Sequence, residues 1–332
     1  MNYIGSKLKL SNFILSTVKE VVGNDLSSKT FCDLFAGTGI VGRVFKPEVK
    51  QIIANDLEYY SYVLNKNYLE NNSPFEDTEL LHFLNNLKPV KGFIFNNYCL
   101  GGKANRQYFS DENGMKIDAI RKEISCLKKQ KDITDAVYYF LLASLIESAD
   151  AVANTAAVYG AFLKHLKKSA QKTLILKSAV FEVTNQKNKV YNTNSNLLID
   201  KIEGDILYLD PPYNARQYGA NYHLLNTIAR YKPFVPKGKT GLPVYNKSAY
   251  CQKNEVLKNF DDLLEKAQFK FLFLSYNNEG LMSAQTIEKL MKKYGKYSLK
   301  TATYQRFKAD KTENREHKAT ETTEYLHILE KR

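Results

Sequence analysis

The sequence predicts an α/β fold: a parallel sheet with flanking helices, split by a mostly helical insertion. Three stretches carry this expectation. Lys29 to Phe35 reads as a buried strand, closed by the tight turn Ala36-Gly37-Thr38-Gly39 and followed by a helix from Ile40 to Phe45. Lys50 to Asn55 reads as a second strand that ends at Asp56 and feeds a helix over 57–70. Asp205 to Leu209 is a short apolar run in which the same rhythm resumes. Strand, turn and helix repeated in this order belong to parallel sheets.

The remaining elements follow in order. Leu8, Phe13, Ile14 and Val18 fall roughly at helical spacing, so 8–22 is predicted helical. Between 75 and 189 helical patterns dominate, notably 114–129 and 133–148, with a loop rich in Asn, Gly, Lys and Arg over 96–113. A helix is expected over 221–231. A long loop then follows over 232–253, holding Pro233, Pro236, Gly238, Gly241 and Pro243. Helix 255–267, strand 269–275 and helix 283–294 come next. Strands 297–307 and 324–329 close the chain, joined by a charged stretch, 308–318, expected to be a mobile loop. The domain reading is therefore one catalytic domain from 1–74 and 190–332, interrupted by a helical insertion over 75–189.

With 332 residues, 44% of them hydrophobic, the chain can bury a sizeable core. A formal charge of +13 favours a polyanionic partner, nucleic acid before an anionic membrane. No run of 18 apolar residues occurs, and the first residues lack the apolar centre of a signal peptide, so the membrane reading loses ground. Cys32, Cys99, Cys126 and Cys251 form no C-x-x-C pair, which suits a reduced cytoplasmic compartment and argues against zinc or a disulfide framework. The five histidines are scattered, and no metal is expected.

Asp210-Pro211-Pro212-Tyr213 stands at the carboxyl end of the strand 205–209, where open α/β sheets place their ligands. Proline has no N–H and a fixed φ, so the Pro211 carbonyl is available to a ligand. Asp210 adds a second acceptor and Tyr213 a flat face, a combination suited to a planar molecule with an exocyclic amino group. The turn Asp33-Leu34-Phe35-Ala36-Gly37-Thr38-Gly39 lets a ligand approach the backbone closely, with a helix N-terminus behind it. It lacks the G-x-G-x-x-G pattern, so a dinucleotide is not its natural ligand. Asp56 ends the next strand, where an acid takes ribose hydroxyls; it is equally a plain helix cap. Tyr3-Ile4-Gly5-Ser6-Lys7 is a Gly-Ser turn with a lysine able to hold a carboxylate or phosphate.

In this order the motifs resemble the D12-class N6-adenine DNA methyltransferases of restriction–modification systems. Tyr3 to Lys7 is similar to the family's N-terminal cofactor motif, Asp33 to Gly39 to its AdoMet loop, Asn55-Asp56 to its ribose position and Asp210 to Tyr213 to its catalytic motif. Asn214 to Gly219, Tyr222 to Thr227 and Ser275 to Gly280 resemble one subgroup. The resemblance spans nearly the whole chain. It implies a Rossmann-like class I AdoMet-dependent methyltransferase sheet with a mostly helical insertion. S-adenosyl-L-methionine would be held by Tyr3, Lys7, Asp33, Phe35, Ala36, Gly37, Thr38, Gly39 and Asp56. Asn194 stands where the family often has an acid that receives the cofactor's adenine amino group.

The resemblance further implies a bacterial, cytoplasmic enzyme acting on double-stranded DNA, with a cognate restriction endonuclease as candidate partner and a short recognition site containing ATG. Asp210 and the Pro211 carbonyl would accept the two N6–H of a flipped adenine, Pro212 would fix the turn, and Tyr213 would stack on the base. Cytosine N4 also offers an amino group to such a turn; the Asp favours adenine. Arg106, Lys164 and Lys239 are candidate DNA contacts, and Arg216 and Gln217 are expected near the flipped nucleotide because they follow the catalytic turn. Two rival readings are an RNA or protein-glutamine methyltransferase with the same turn, and an inactive nucleic-acid-binding module.

Overall fold

The computed structural model describes residues 7–305 and 321–332. Tyr3 and the expected mobile stretch 308–318 lie outside the described residues. The chain divides into two compact units. One comprises 7–57, 186–217, 247–305 and 321–332, the other 58–185 and 218–246.

The first unit is a seven-stranded sheet. Its strands are β1 (Thr30–Asp33), β2 (Gln51–Asn55), β3 (Lys189–Tyr191), β4 (Glu203–Leu209), β5 (Gln268–Asn277), β6 (Gly295–Gln305) and β7 (Glu321–Lys331). Their order is β3-β2-β1-β4-β5-β7-β6. The first five are mutually parallel, while β7 runs antiparallel to both β5 and β6. This is the Rossmann-like sheet that the motifs implied. β4 is apolar without alternation because Ile206, Leu207, Tyr208 and Leu209 are all buried, as a central parallel strand requires. On one face Cys32, Leu207, Leu209, Leu272 and Leu274 pack with Phe260, Leu263, Ile287 and Met291 from helices Val256–Lys266 and Ala284–Lys292. Elsewhere Phe31 stacks on Phe45 at 4.0 Å. Each such buried side chain contributes about 1.5–3 kcal/mol.

Two features of this topology set up the site. The strand order reverses between β1 and β4, so their carboxyl ends flank a crevice. The antiparallel β7 begins where β5 ends, with Glu324 in register with Asn277. An acid from the end of the chain is thereby carried to the ligand edge of the sheet.

The second unit is helical. Its helices include Tyr59–Asn65, Thr78–Asn85, Phe93–Tyr98, Asp111–Gln130, Asp135–Ala151 and His223–Arg230. Its spine is Asp111–Gln130. Asp118, fully buried, accepts backbone N–H bonds from Gly92, Ile94 and Phe95 at 2.8–3.0 Å and a hydroxyl from Tyr231. Arg121 donates to the carbonyls of Ile228 and Ala229, both at 2.9 Å, satisfying the end of His223–Arg230. Gly114 lets Cys99 approach, since a Cβ there would lie 2.1 Å from the thiol sulfur.

The compact units fall elsewhere than the boundaries read from sequence at 74/75 and 189/190. The helical unit starts at 58 and takes in 218–246, because Tyr59–Asn65 and His223–Arg230 pack on Asp135–Ala151. A helix, Phe93–Tyr98, reaches into the stretch read as a loop. The helix expected over 221–231 is broken at Tyr222 into Tyr218–Asn221 and His223–Arg230.

Candidate active site

Asp210 follows β4 directly, and 17% of its side chain is exposed. Its Oδ1 lies 3.1 Å from the Lys7 ammonium. Lys7 is itself buried at 5% exposure and reaches Glu324 Oε1 at 2.8 Å. The Ser275 hydroxyl donates to the same Glu324 oxygen at 2.6 Å. One cation therefore sits between two carboxylates. Burial works against the charge on Lys7, but Asp210 and Glu324 outweigh it and hold the ammonium's pKa well above the ordinary value. Burial also pushes Asp210 up to about 6, with Lys7 opposing and Glu324 reinforcing the shift. Tyr208 on β4 stays protonated through burial and the Asp210 charge. Pro211 is buried and Pro212 half-buried, and no described residue donates to the Pro211 carbonyl. The Tyr213 ring stands edge-on to Tyr276 at 6.1 Å, with the Lys7 ammonium 5.8 Å from its centroid, and its carbonyl accepts the Leu281 N–H.

The glycine turn fills the other side of the β1/β4 crevice. Gly37 and Gly39 take φ of 52° and 76°, the left-handed region that favours glycine. Ala36 N–H bonds Asn55 O, Gly39 N–H bonds Ala36 O, and Gly37 N–H bonds Asp56 Oδ2 at 2.8 Å. Asp33 is buried, and its Oδ1 has no hydrogen-bond partner. Burial, then the charges of Asp210 and Asp56, hold the Asp33 carboxyl well above the ordinary range. The residue set fits AdoMet, whose sulfonium and ammonium are cationic: Asp33, with an Oδ1 that no described residue satisfies, and Asp56 lie at the glycine turn, while Lys7 is taken up by Asp210 and Glu324. Thr38 is half-buried in this turn. Phe35 packs edge-on against Tyr250 at 5.0 Å.

Two placements differ from the roles read in sequence. Asn194 is exposed, and its Oδ1 caps the short helix Ser195–Leu198 through the Asn196 N–H at 2.9 Å. Lys7 does hold carboxylates, but they belong to this chain. One residue, Glu324, is added that sequence reasoning gave no role, and two, Ser275 and Asn55, gain definite contacts. Glu324 and Ser275 are described above. Asn55 donates to Leu34 O and Thr193 O, tying the glycine turn to the loop after β3. Ser275 and Asn55 entered the sequence reading as members of the Ser275 to Gly280 and Asn55-Asp56 motifs, and Glu324 had no signal.

The expected DNA contacts fall into two groups. Lys164, Arg216 and Lys239 are exposed. Arg106 and Gln217 are engaged in holding backbone. Arg106 donates to the carbonyls of Asn97, Gly238 and Lys239 at 3.0 Å each, and Tyr98 donates to Gly241 O. The hairpin carrying Lys239 is thus clamped within the helical unit. Gln217 pairs with both N–H and C=O of Ser248. The helical unit also has a cavity of about 470 Å³ lined in part by Asn96, Asn97, Lys103 and Lys122, with no acid among its lining residues. His223, whose ring nitrogen meets Tyr159 O at 3.1 Å, is buried among Tyr98 and Tyr108 and pushed down to about 4, so it is neutral and structural. Among the described residues no helix is long and apolar enough to cross a membrane.

Comparison with known proteins agrees with the site. The family described as D12 class N6 adenine-specific DNA methyltransferase matches residues 3–290. The chain is 60% identical to the type II methyltransferase M.NlaIII of Neisseria lactamica over 332 residues, covering all of this chain and 99% of that protein. It is 40% identical to M.FokI of Planomicrobium okeanokoites, of which it spans 53%, and 39% identical to M.CviAII of Paramecium bursaria Chlorella virus 1, with 93% of each chain covered. With the Asp-Pro-Pro-Tyr turn beside the glycine turn and a match that runs almost end to end, this chain belongs to the D12 class of N6 adenine-specific DNA methyltransferases.

Proposed function

We propose that Asp210 and the Pro211 carbonyl together accept the two N6–H of an adenine turned out of duplex DNA, and that the glycine turn after β1 holds the methyl donor. The observation that carries this reading is Asp210 itself: a largely buried carboxylate at the β4 end, paired with Lys7 and still partly open. The N6 lone pair of adenine is conjugated into the ring and is a poor nucleophile. Two acceptors in line with its N–H bonds draw the nitrogen toward tetrahedral geometry and free the pair. Tyr213 offers its ring to the base, and Pro212 fixes the turn. The base must leave the duplex to enter.

AdoMet, when bound, supplies a methyl group already activated by its sulfonium. Asp33 and Asp56 face its cationic groups and ribose, while Gly37, Thr38 and Gly39 keep the backbone close. Phe35 and Ala36 shape the turn, and Tyr3 belongs to the same motif. The methyl transfer itself asks for no metal. Phosphate contacts come from the exposed lysines of the helical unit, Lys164 and Lys239 among them, and from Arg216 beside the catalytic turn. Arg106 and Gln217 serve by holding the loops that carry Lys239 and Ser248. The recognition site is a short one containing ATG, shared with a cognate restriction endonuclease in the cytoplasm of a bacterium.

Asp210→Ala is expected to lower methylation by about 10²–10³ or more while AdoMet binding persists. Near-normal turnover in that variant would remove Asp210 from the mechanism. Nanopore sequencing of DNA treated with the purified protein reports base, strand and context at once; methyl groups on cytosine, or outside ATG, would refute those parts of the reading.

A further inference from the structure

We propose that Glu324 is a positioning residue for methyl transfer: anchored by Ser275, it fixes the Lys7 ammonium beside Asp210 and takes a share of its charge. The inference rests on Asp210 as the N6 acceptor.

The geometry is specific. Lys7 lies 2.8 Å from Glu324 and 3.1 Å from Asp210, so its shorter contact is with the acid that does not follow the Asp-Pro-Pro-Tyr strand. Glu324 is 2% exposed. Its Oε1 receives both Lys7 and Ser275, while its Oε2 has no hydrogen-bond partner among the described residues. A buried carboxylate held on one oxygen only is costly unless it serves the charge beside it. Ser275 on β5 fixes its direction, and the antiparallel entry of β7 fixes its height at the sheet edge.

The chemical consequence follows from sharing. If Lys7 neutralised Asp210 alone, the Asp210 oxygen would be a weaker acceptor for N6–H. With Glu324 drawing on the same ammonium, Asp210 keeps more of its negative charge and a fixed rotamer. The charged and titratable groups that face Asp210 are Lys7, Glu324 from β7, Asp33 from β1, and Tyr208 and Tyr213 flanking it on its own strand and turn. Of these, only Glu324 raises the Asp210 pKa while touching its cation.

The test is the pH profile of kcat/KM with the protein on duplex DNA. Wild type is expected to lose activity as pH falls through an acid limb near 6. Glu324→Gln should move that limb down by about one pH unit, since a repelling charge has gone. It should also lower the plateau about tenfold, with KM for DNA and AdoMet affinity unchanged. Lys7→Met should move the limb up. Glu324→Asp should restore part of both limb and plateau, and Ser275→Ala should shift both in the Gln direction by less. If Glu324→Gln does not fold, Ser275→Ala and Glu324→Asp carry the test. A wild-type limb and plateau in Glu324→Gln overturn the inference, as does a loss that follows the folded fraction with no movement of the limb. If Asp210→Ala keeps its turnover, the parent reading fails. If Asp210→Ala is inactive while the limb ignores Glu324, only this inference fails.

Discussion

At the scale of single residues, the site trades stability for chemistry, and Asp210 shows the size of the trade. Its carboxyl is held up to about 6 in the folded protein. A raised folded-state pKa means that ionisation costs the fold, so this contribution is lost as pH rises from the ordinary carboxylate range through 6. The cost by pH 8 is about 3 kcal/mol at most. Asp210→Asn, which leaves Lys7 with Glu324, is therefore expected to raise unfolding free energy by about 1–3 kcal/mol at pH 8. The gain should vanish below the ordinary carboxylate range. Urea unfolding at several pH values measures it, and a destabilised variant at pH 8 contradicts it. Asp33 makes the complementary prediction. Its raised carboxyl must ionise to meet a cationic ligand, so AdoMet affinity should weaken as pH falls, and Asp33→Asn should weaken it at high pH with a loss that shrinks as pH falls. Calorimetry with AdoMet or a stable analogue reads both. Asp33, Asp56 and Asp210 were legible in the sequence because each closes a strand before a turn, a local signal. Glu324 was not, since only strand pairing brings it to Lys7.

Among elements, the turn after β1 is the most exacting. Gly39 carries φ 76° at the start of helix Ile40–Phe45. Gly39→Ala should cost about 1–2 kcal/mol and lower AdoMet affinity in the same calorimetric titration; unchanged values for both would show that the turn relaxes freely. The long helices and buried strands were readable from apolar periodicity, and their ends fall within a few residues of expectation. Helix Phe93–Tyr98 was not readable. It is six residues long, and its first N–H groups are satisfied by Asp118, which lies 24 positions from Ile94. β3 is three residues long and is recognised only by its pairing with β2. Short elements of this kind owe their existence to partners distant in sequence, which a window of neighbouring residues does not contain.

For the whole molecule, a charge of +13 implies that DNA binding is driven by counterion release. Affinity should fall steeply and linearly with salt on logarithmic axes, and Lys239→Ala should reduce the slope by about one. Fluorescence anisotropy across a salt series measures both, and a flat series would rule out phosphate contacts. The units themselves were only half legible. Composition marked a helical region, but residues 218–246 join it by packing that no composition shift announces. The bridge from Lys7 to Glu324 spans 317 positions. On the ribosome, β7 is made after every other strand of the sheet, so Lys7 and Asp210 wait for Glu324 until the last strand of the sheet is synthesised. A growing chain therefore holds Lys7 and Asp210 long before it holds the second acid that shares the ammonium.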